Sequence, residues 1–435
     1  MRSAILKNSL WMMVEKVIAI FGIIFVTSFV AKYIGPTVYG KIALSLSVFQ
    51  LIQIVSQFGS DVLIFKRISV NVKSGVNLIN NTLFLRVISY ILLSTPVLIY
   101  FYFTSDFGYI FIVSTFIACF IQVMDVYAIF YDACLKSMVN VLVNLSGLVI
   151  SMVFRGIIPL FELNYSWLAL PIIIAPLVPF IIRFYYFNKK EKTPRLKRNH
   201  SIKYMKYLFF NGFSFAVSSI SVALYTRISI FIIGIILTTD KVAIFTVASS
   251  LASSWSFVLY SFITSTLPSI FSEKSLSKAN EKTSKLFWLI FFISLIVIVF
   301  ALIFAKFFLN LLYGLQFSEA YKPLIILCFC TMISALGTIS SRYIAKFSGY
   351  SYLSYKTISV CTFSVIITYF SISKFGIVGA AYSNLLTELF SLTIANYFFK
   401  HALVLKMHLN TIFYPYYFLL SKSRKRKNEN PPHRR

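Results

Sequence analysis

The sequence predicts an all-α polytopic membrane protein, with about twelve transmembrane helices in two six-helix bundles and both termini on the cytoplasmic side. Three observations predict it. First, 58% of the 435 residues are hydrophobic and 12% are charged, against about 45–50% and about 25% in a soluble domain. Second, apolar runs long enough to span a bilayer, about 20 residues each, recur along the whole chain. Third, the basic residues gather in alternate loops. A mean hydropathy of +0.82 argues against a water-soluble enzyme or a nucleic-acid-binding domain, although 41 Lys and Arg against 13 Asp and Glu give a net charge of +28. Segments of about ten residues with alternating polarity, the mark of an outer-membrane barrel, do not occur.

In order, the apolar runs are 10–30, 42–58, 78–103, 107–130, 139–161 and 167–187, then 208–237, 242–271, 286–312, 324–343, 355–370 and 377–399. The first run lacks a cleavage site and is read as the first membrane helix, not as a signal peptide. The breaks between runs carry turn residues, as at Gly35, Pro36 and Gly40, or clusters of charge. With the N-terminus inside and strict alternation, the segments outside hold only Lys32, Lys41, Lys241, Lys322 and Lys374. The cytoplasmic excess is then roughly six to one, as expected for loops that set orientation. Arg183 and Lys356 are counted among these topology charges.

The stretch 188–206 is basic and joins the sixth run to the seventh. It divides the chain into an N-terminal six-helix bundle at 1–187, a cytoplasmic linker at 188–206, a C-terminal six-helix bundle at 207–400 and a basic cytoplasmic tail at 401–435. An offset of 203 residues supports a repeat, since Asn8 aligns with Asn211 and TVYGKIALSLS from Thr37 with DKVAIFTVASS from Asp240. Two such halves with a substrate site between them are a recurrent transporter plan.

No phosphate-binding G-x-x-x-x-G-K-[ST] loop is present, and no histidine pairs with an acid inside a span. The expectation is therefore a transporter and not an enzyme, with no metal and no cofactor. Five cysteines lie in or beside apolar runs without a C-x-x-C pair and read as small buried hydrophobes. Ionised groups inside spans are costly and tend to mark a pathway. Arg86, Arg155 and Arg227 lie in the third, fifth and seventh runs, Lys306 in the ninth, and Arg342 near the end of the tenth. These are the candidates for a cationic lumen, because arginine binds phosphate oxygens through a planar fork. Lys16 and Lys306 also have stems long enough to snorkel to an interface. The acids are fewer: Glu15 beside Lys16, Asp125 and Glu388, with Asp61 and Asp132 at span ends. Glu15, Asp125 and Glu388 either balance a base or carry a coupling proton, and both roles stay open.

Four elements resemble polysaccharide-repeat flippases of the Wzx type, in the multidrug, oligosaccharidyl-lipid and polysaccharide exporter superfamily. The first helix ends in a turn similar to A-R-x-L-G-P-x-x-Y-G, here Ala31 to Gly40 with Gly35, Pro36, Tyr39 and Gly40. FGSDVLIFKRIS resembles a G-x-D element followed by a basic residue, here Asp61 and Arg67. LYGLQFSEAYKPL from Leu312 and FGIVGAAYSN from Phe375 resemble the stretches after the ninth and before the twelfth helices. One departure is Ser229 after Arg227 and Ile228, where the family often has an acid.

The resemblance implies translocation of undecaprenyl diphosphate-linked O-antigen oligosaccharide repeat units from the inner to the outer leaflet of the bacterial plasma membrane, by alternating access. The alternatives are a capsular or other lipid-linked polysaccharide unit, or a cation-coupled multidrug exporter of the same superfamily. A membrane-embedded glycosyltransferase is disfavoured by the short external loops. Expected partners are the lipid-linked oligosaccharide, the membrane, and a polysaccharide polymerase and chain-length regulator, with no nucleic acid.

Overall fold

The computed structural model describes the backbone of residues 2–104, 108–190 and 198–414, and their side chains except at 2–17, 21, 23, 80, 81, 137, 190 and 198–215. The side chains of Asn8, Glu15, Lys16 and Asn211, the middle of the linker and the tail beyond 414 thus lie outside the described residues.

Helix α1 (Arg2–Ser56) runs through the first two apolar runs without a loop, and only Gly35 leaves helical geometry, at φ 77° and ψ 169°. Glycine reaches that conformation without a Cβ clash. Pro36 then starts a new helix where its missing N–H costs nothing. The expected turn is therefore a single-residue break. After α2 (Ser60–Val70) and α3 (Val72–Thr104), the expected fourth span is broken near its C-terminal end. Its parts α4 (Tyr109–Met124) and α5 (Tyr127–Ala133) meet at 42°, with Asp125 at the joint. The N-terminal half closes with α6 (Ser137–Leu160) and α7 (Ala169–Lys190).

The C-terminal half holds α8 (Arg198–Ile236), α9 (Thr239–Ser253), α10 (Ser256–Phe271), α11 (Leu276–Tyr313) and α12 (Tyr321–Lys346). Helix α13 (Tyr350–Leu392) breaks at Gly376, φ 59°, as α1 does at Gly35, and α14 (Ile394–Tyr397) follows. A last helix, α15, covers 403–414. Among the described residues nine stretches are long and apolar enough to cross a bilayer, and the bent α4–α5 pair makes ten. Dividing α1 and α13 at their glycines brings the number to twelve.

The lipid-facing surface is apolar. On α11, Ala301, Ala305 and Leu309 are buried at helical spacing, whereas Ile303 and Phe307 are more than 60% exposed. Large exposed side chains of this kind would be a liability in water and suit hydrocarbon. The halves meet through α1 against α8, α9 and α11, and through α2 and α3 against α8. A Cβ on Gly40 would lie 3.3 Å from the Ala243 nitrogen, so two residues related by the offset of 203 touch.

The start of the expected tail is packed. Val404 and Met407 of α15 are fully buried against α11 and α12, and Trp288 Nε1 donates to the Thr411 carbonyl at 2.9 Å.

Candidate functional site: interior charges, cavities and the seal between the halves

The break at Asp125 and the sequence position of Arg183 together create an interior ion pair in the N-terminal half. Arg183 Nε lies 3.1 and 3.0 Å from the two Asp125 carboxylate oxygens, and its Nη2 donates to Asp125 as well. Nη1 donates to Asn144 Oδ1 at 2.8 Å. Arg183 is 4% exposed, so it is an interior group and not the solvated topology charge expected from the sequence. A buried arginine needs this full set of acceptors, because leaving its charge unpaired costs several kcal/mol.

Arg86 is similarly held. It is 2% exposed, donates from Nε and Nη2 to Ser60 Oγ at 3.0 and 2.6 Å, and forms an ion pair with Asp61. Ser60 and Asp61 begin α2 after Gly59, whose φ of 61° turns the chain. The acid of the G-x-D element therefore neutralises Arg86. Arg67, from the same element, is exposed and donates to Ser74 Oγ at 2.8 Å.

The remaining lumen candidates separate into two groups. Lys306 is exposed on α11 between the exposed Ile303 and Phe307, and Arg342 is exposed near the end of α12. Neither is brought to the other cations, and Lys306 has the position of a snorkelling side chain. Arg155 on α6 and Arg227 on α8 are partly buried and form no ion pair among the described residues. Arg155 is within electrostatic reach of Tyr39 on α1. Arg227 is within electrostatic reach of Cys119 on α4.

Two cavities lie inside the halves. That of the N-terminal half, about 320 Å³, runs along α6 past Arg183, Asn144, Gln122 and Ser151 to Arg155. Asn144 and Arg155 are eleven residues apart, about 16 Å along the axis at 1.5 Å per residue. With Asp125 already bound to Arg183, this track is net cationic. That of the C-terminal half, about 190 Å³, is bordered by Tyr225, Tyr260, Ser334, Asn384, Thr387 and Glu388. Glu388 is within electrostatic reach of Lys356. Lys356 is 8% exposed and donates to Ser341 Oγ at 3.2 Å, so it too is interior despite its sequence position among topology charges.

At one end of the bundle the Gly35–Gly40 turn meets the C-terminal half. A Cβ on Gly40 would fall 1.7 Å from the Thr239 carbonyl oxygen, so only glycine permits this backbone approach. Tyr39 packs edge-on against Phe317, with ring centroids 6.3 Å apart. Gln316 Nε2 donates to the Lys32 carbonyl at 3.0 Å. The turn residues thus hold the two halves together.

At the other end His408 of α15 bonds Ser340 through Nε2 at 2.9 Å and packs on Phe287 and Tyr397. Burial, and then the nearby Lys356 charge, push its pKa down from 6.5 to about 4. Sequence reasoning missed Arg183, Lys356 and His408. Their partners are distant in the chain, and each lies near a span end where charge ordinarily signals topology. Among the described residues no three His, Cys, Asp or Glu side chains gather as a metal site.

Fold and interior define a multi-pass helical membrane protein with charged side chains in its interior. Residues 5–274 match the family described as polysaccharide biosynthesis protein. With that match covering more than half its length, the chain belongs to the polysaccharide biosynthesis protein family. Among solved structures it is similar to an inward-facing multidrug resistance MATE family transporter of the MOP superfamily, with TM-score 0.66 and 14% identity over 88% of this chain and 97% of that one. It is also similar to the lipid II flippase MurJ in an inward closed conformation, with TM-score 0.67 and 14% identity over 96% and 93%. An outward-facing MATE transporter gives a TM-score of 0.55 and 14% identity over 94% and 95%. At such identity the likeness is one of fold. No curated protein matches the chain by sequence.

Proposed function

We propose that the protein is a flippase carrying undecaprenyl diphosphate-linked O-antigen oligosaccharide repeat units from the inner to the outer leaflet of the bacterial plasma membrane. The observation that carries the reading is the division of the interior cations. Arg86 and Arg183 are neutralised by Asp61 and Asp125, while Arg155 and Arg227 stand partly buried with no carboxylate paired to either among the described residues. An anionic diphosphate supplies the missing counter-charge, and each guanidinium offers it two parallel donors. Lys306 and Arg342, both exposed, have no part in this reading.

Transport follows by alternating access of the two halves. In the conformation at hand the Gly40–Thr239 contact closes the outer end, and the higher similarity to an inward-facing than to an outward-facing MATE transporter supports the same state. Asp125 is the charge balance for Arg183, and Glu388 faces Lys356. A drug exporter for organic cations would need interior acids free of bases, and Asp61, Asp125 and Glu388 each face one. The family membership favours a polysaccharide precursor over a drug.

The test replaces Arg155 and Arg227 singly with Ala in a strain lacking its own O-antigen flippase and measures surface O-antigen. Loss of at least ten-fold, roughly the effect of one charge-assisted contact, is expected for each at normal protein level. Full O-antigen from both variants overturns the reading. Normal capsule export without O-antigen would reassign the polysaccharide.

A further inference from the structure

The cavity of the C-terminal half has no role in binding a diphosphate, since its single charged lining group is the acid Glu388. Its chemistry is that of hydroxyl recognition. Thr387 is 2% exposed and its Oγ1 has no hydrogen-bond partner among the described residues. Asn384 Oδ1 accepts from Ser229 at 2.7 Å, which leaves the two amide N–H donors of Asn384 for the cavity. Tyr225 lies within electrostatic reach of both Glu388 and Tyr260, so two phenols and a carboxylate converge on one space. Donors, acceptors and aromatic faces are thus presented together.

Size decides between a bare cation and a larger guest. A desolvated cation occupies one atom's space and draws its oxygen ligands in to about 2.3–2.6 Å. The cavity instead has about 190 Å³, and with about 15 Å³ needed for each water-sized centre it has room for on the order of a dozen non-hydrogen atoms. That is one pyranose ring. The cavity shares a helix with the anion contact, because its lining residues Tyr225 and Thr226 belong to α8, which also carries Arg227.

We propose that this cavity is a subsite for a neutral sugar ring, the ring joined to the phosphate held at Arg227. The proposal rests on the flippase reading and names the second half of its substrate. Sugar hydroxyls donate to Glu388 and accept from Asn384 and Thr387, and a Tyr225 or Tyr260 face covers the ring.

The test uses the purified full-length protein in lipid nanodiscs and two kinds of probe: farnesyl diphosphate, and farnesyl diphosphate carrying glucose, galactose or N-acetylglucosamine. The expected result is that at least one sugar-bearing probe binds about ten-fold tighter than the bare diphosphate, the worth of one or two net hydrogen bonds. Thr387→Val and Tyr225→Phe, both isosteric and the former relieving an unpaired hydroxyl, should each reduce that ratio toward one without weakening the bare probe. Arg227→Ala should weaken every probe alike. Equal binding of bare and sugar-bearing probes, or a ratio unmoved by the two variants, overturns the subsite and leaves the flippase reading standing. Variants that alter only a sodium or proton dependence show a cation site and overturn it too. If no probe binds at all, the lipid-linked reading falls and takes the subsite with it.

Discussion

In the N-terminal half two interior arginines are locked to carboxylates, Arg86 to Asp61 and Arg183 to Asp125, and the cavity beside them carries a surplus of positive charge at Arg155. In the C-terminal half the interior acid Glu388 lines a hydroxyl-rich cavity, and Lys356, which faces it, bonds a serine instead. The two halves of the chain, touching at Gly40 and Ala243, have thus been given different interiors. The difference teaches that shared architecture fixes where the helices stand, while the placement of a few charges decides what each half can hold.

The strongest way to break the comparison is at Asp125. Asp125→Ala leaves Arg183 buried without its counter-charge, and a loss of about 3–5 kcal/mol is expected, seen as a collapse of the detergent-stable folded fraction. Replacing both partners by apolar residues of similar volume should recover most of it, because the penalty comes from the stranded charge. Next is the contact that joins the halves. Gly40→Val has no room beside Thr239, and overpacking of about 1–3 kcal/mol should show mainly as outer-end accessibility to a membrane-impermeant thiol reagent at an introduced Gln316→Cys. Unchanged labelling would remove Gly40 from the seal.

Asp61→Asn should cost less than the Asp125 change, about 1–2 kcal/mol, since Asp61 is 44% exposed and Ser60 still accepts from Arg86. Equal losses from the two aspartates would erase the distinction between a buried and a half-exposed pair. The docking of α15 should depend on pH. Undocked, His408 takes up its proton near 6.5, and docked only near 4, so protonation favours release across that window. The protection of amides in 403–414, corrected for the intrinsic exchange rate at each pH, should fall as pH falls from 6.5 toward 4 and stay flat above, and His408→Phe should abolish the trend. The smallest effect belongs to Lys241, whose pair with Glu319 is solvent-exposed. Lys241→Ala is expected to change stability by less than about 1 kcal/mol.

Much of the architecture was legible because the bilayer imposes a simple rule. Backbone groups in hydrocarbon must be satisfied within the segment, so apolar length predicts helices, and loop charge predicts their alternation. Glycine breaks at 35 and 376 were readable as turns, although each is one residue within a continuous helix. The α4–α5 break was not readable, because its local sequence is apolar on both sides of Asp125 and the gap is stabilised by Arg183, 58 residues away.

The sequence by itself determined the class of protein, the turn at Gly35, and the pool of cations from which a site could be drawn. Only the tertiary structure decided which cations remain unpaired. It removed Arg86 to an ion pair and Lys306 and Arg342 to exposed faces, took Arg183 and Lys356 inside, and left Arg155 and Arg227 without a carboxylate among the described residues. The physical reason is that hydrophobic length is a property of one segment, whereas charge compensation is a property of two side chains that meet only after the helices have packed.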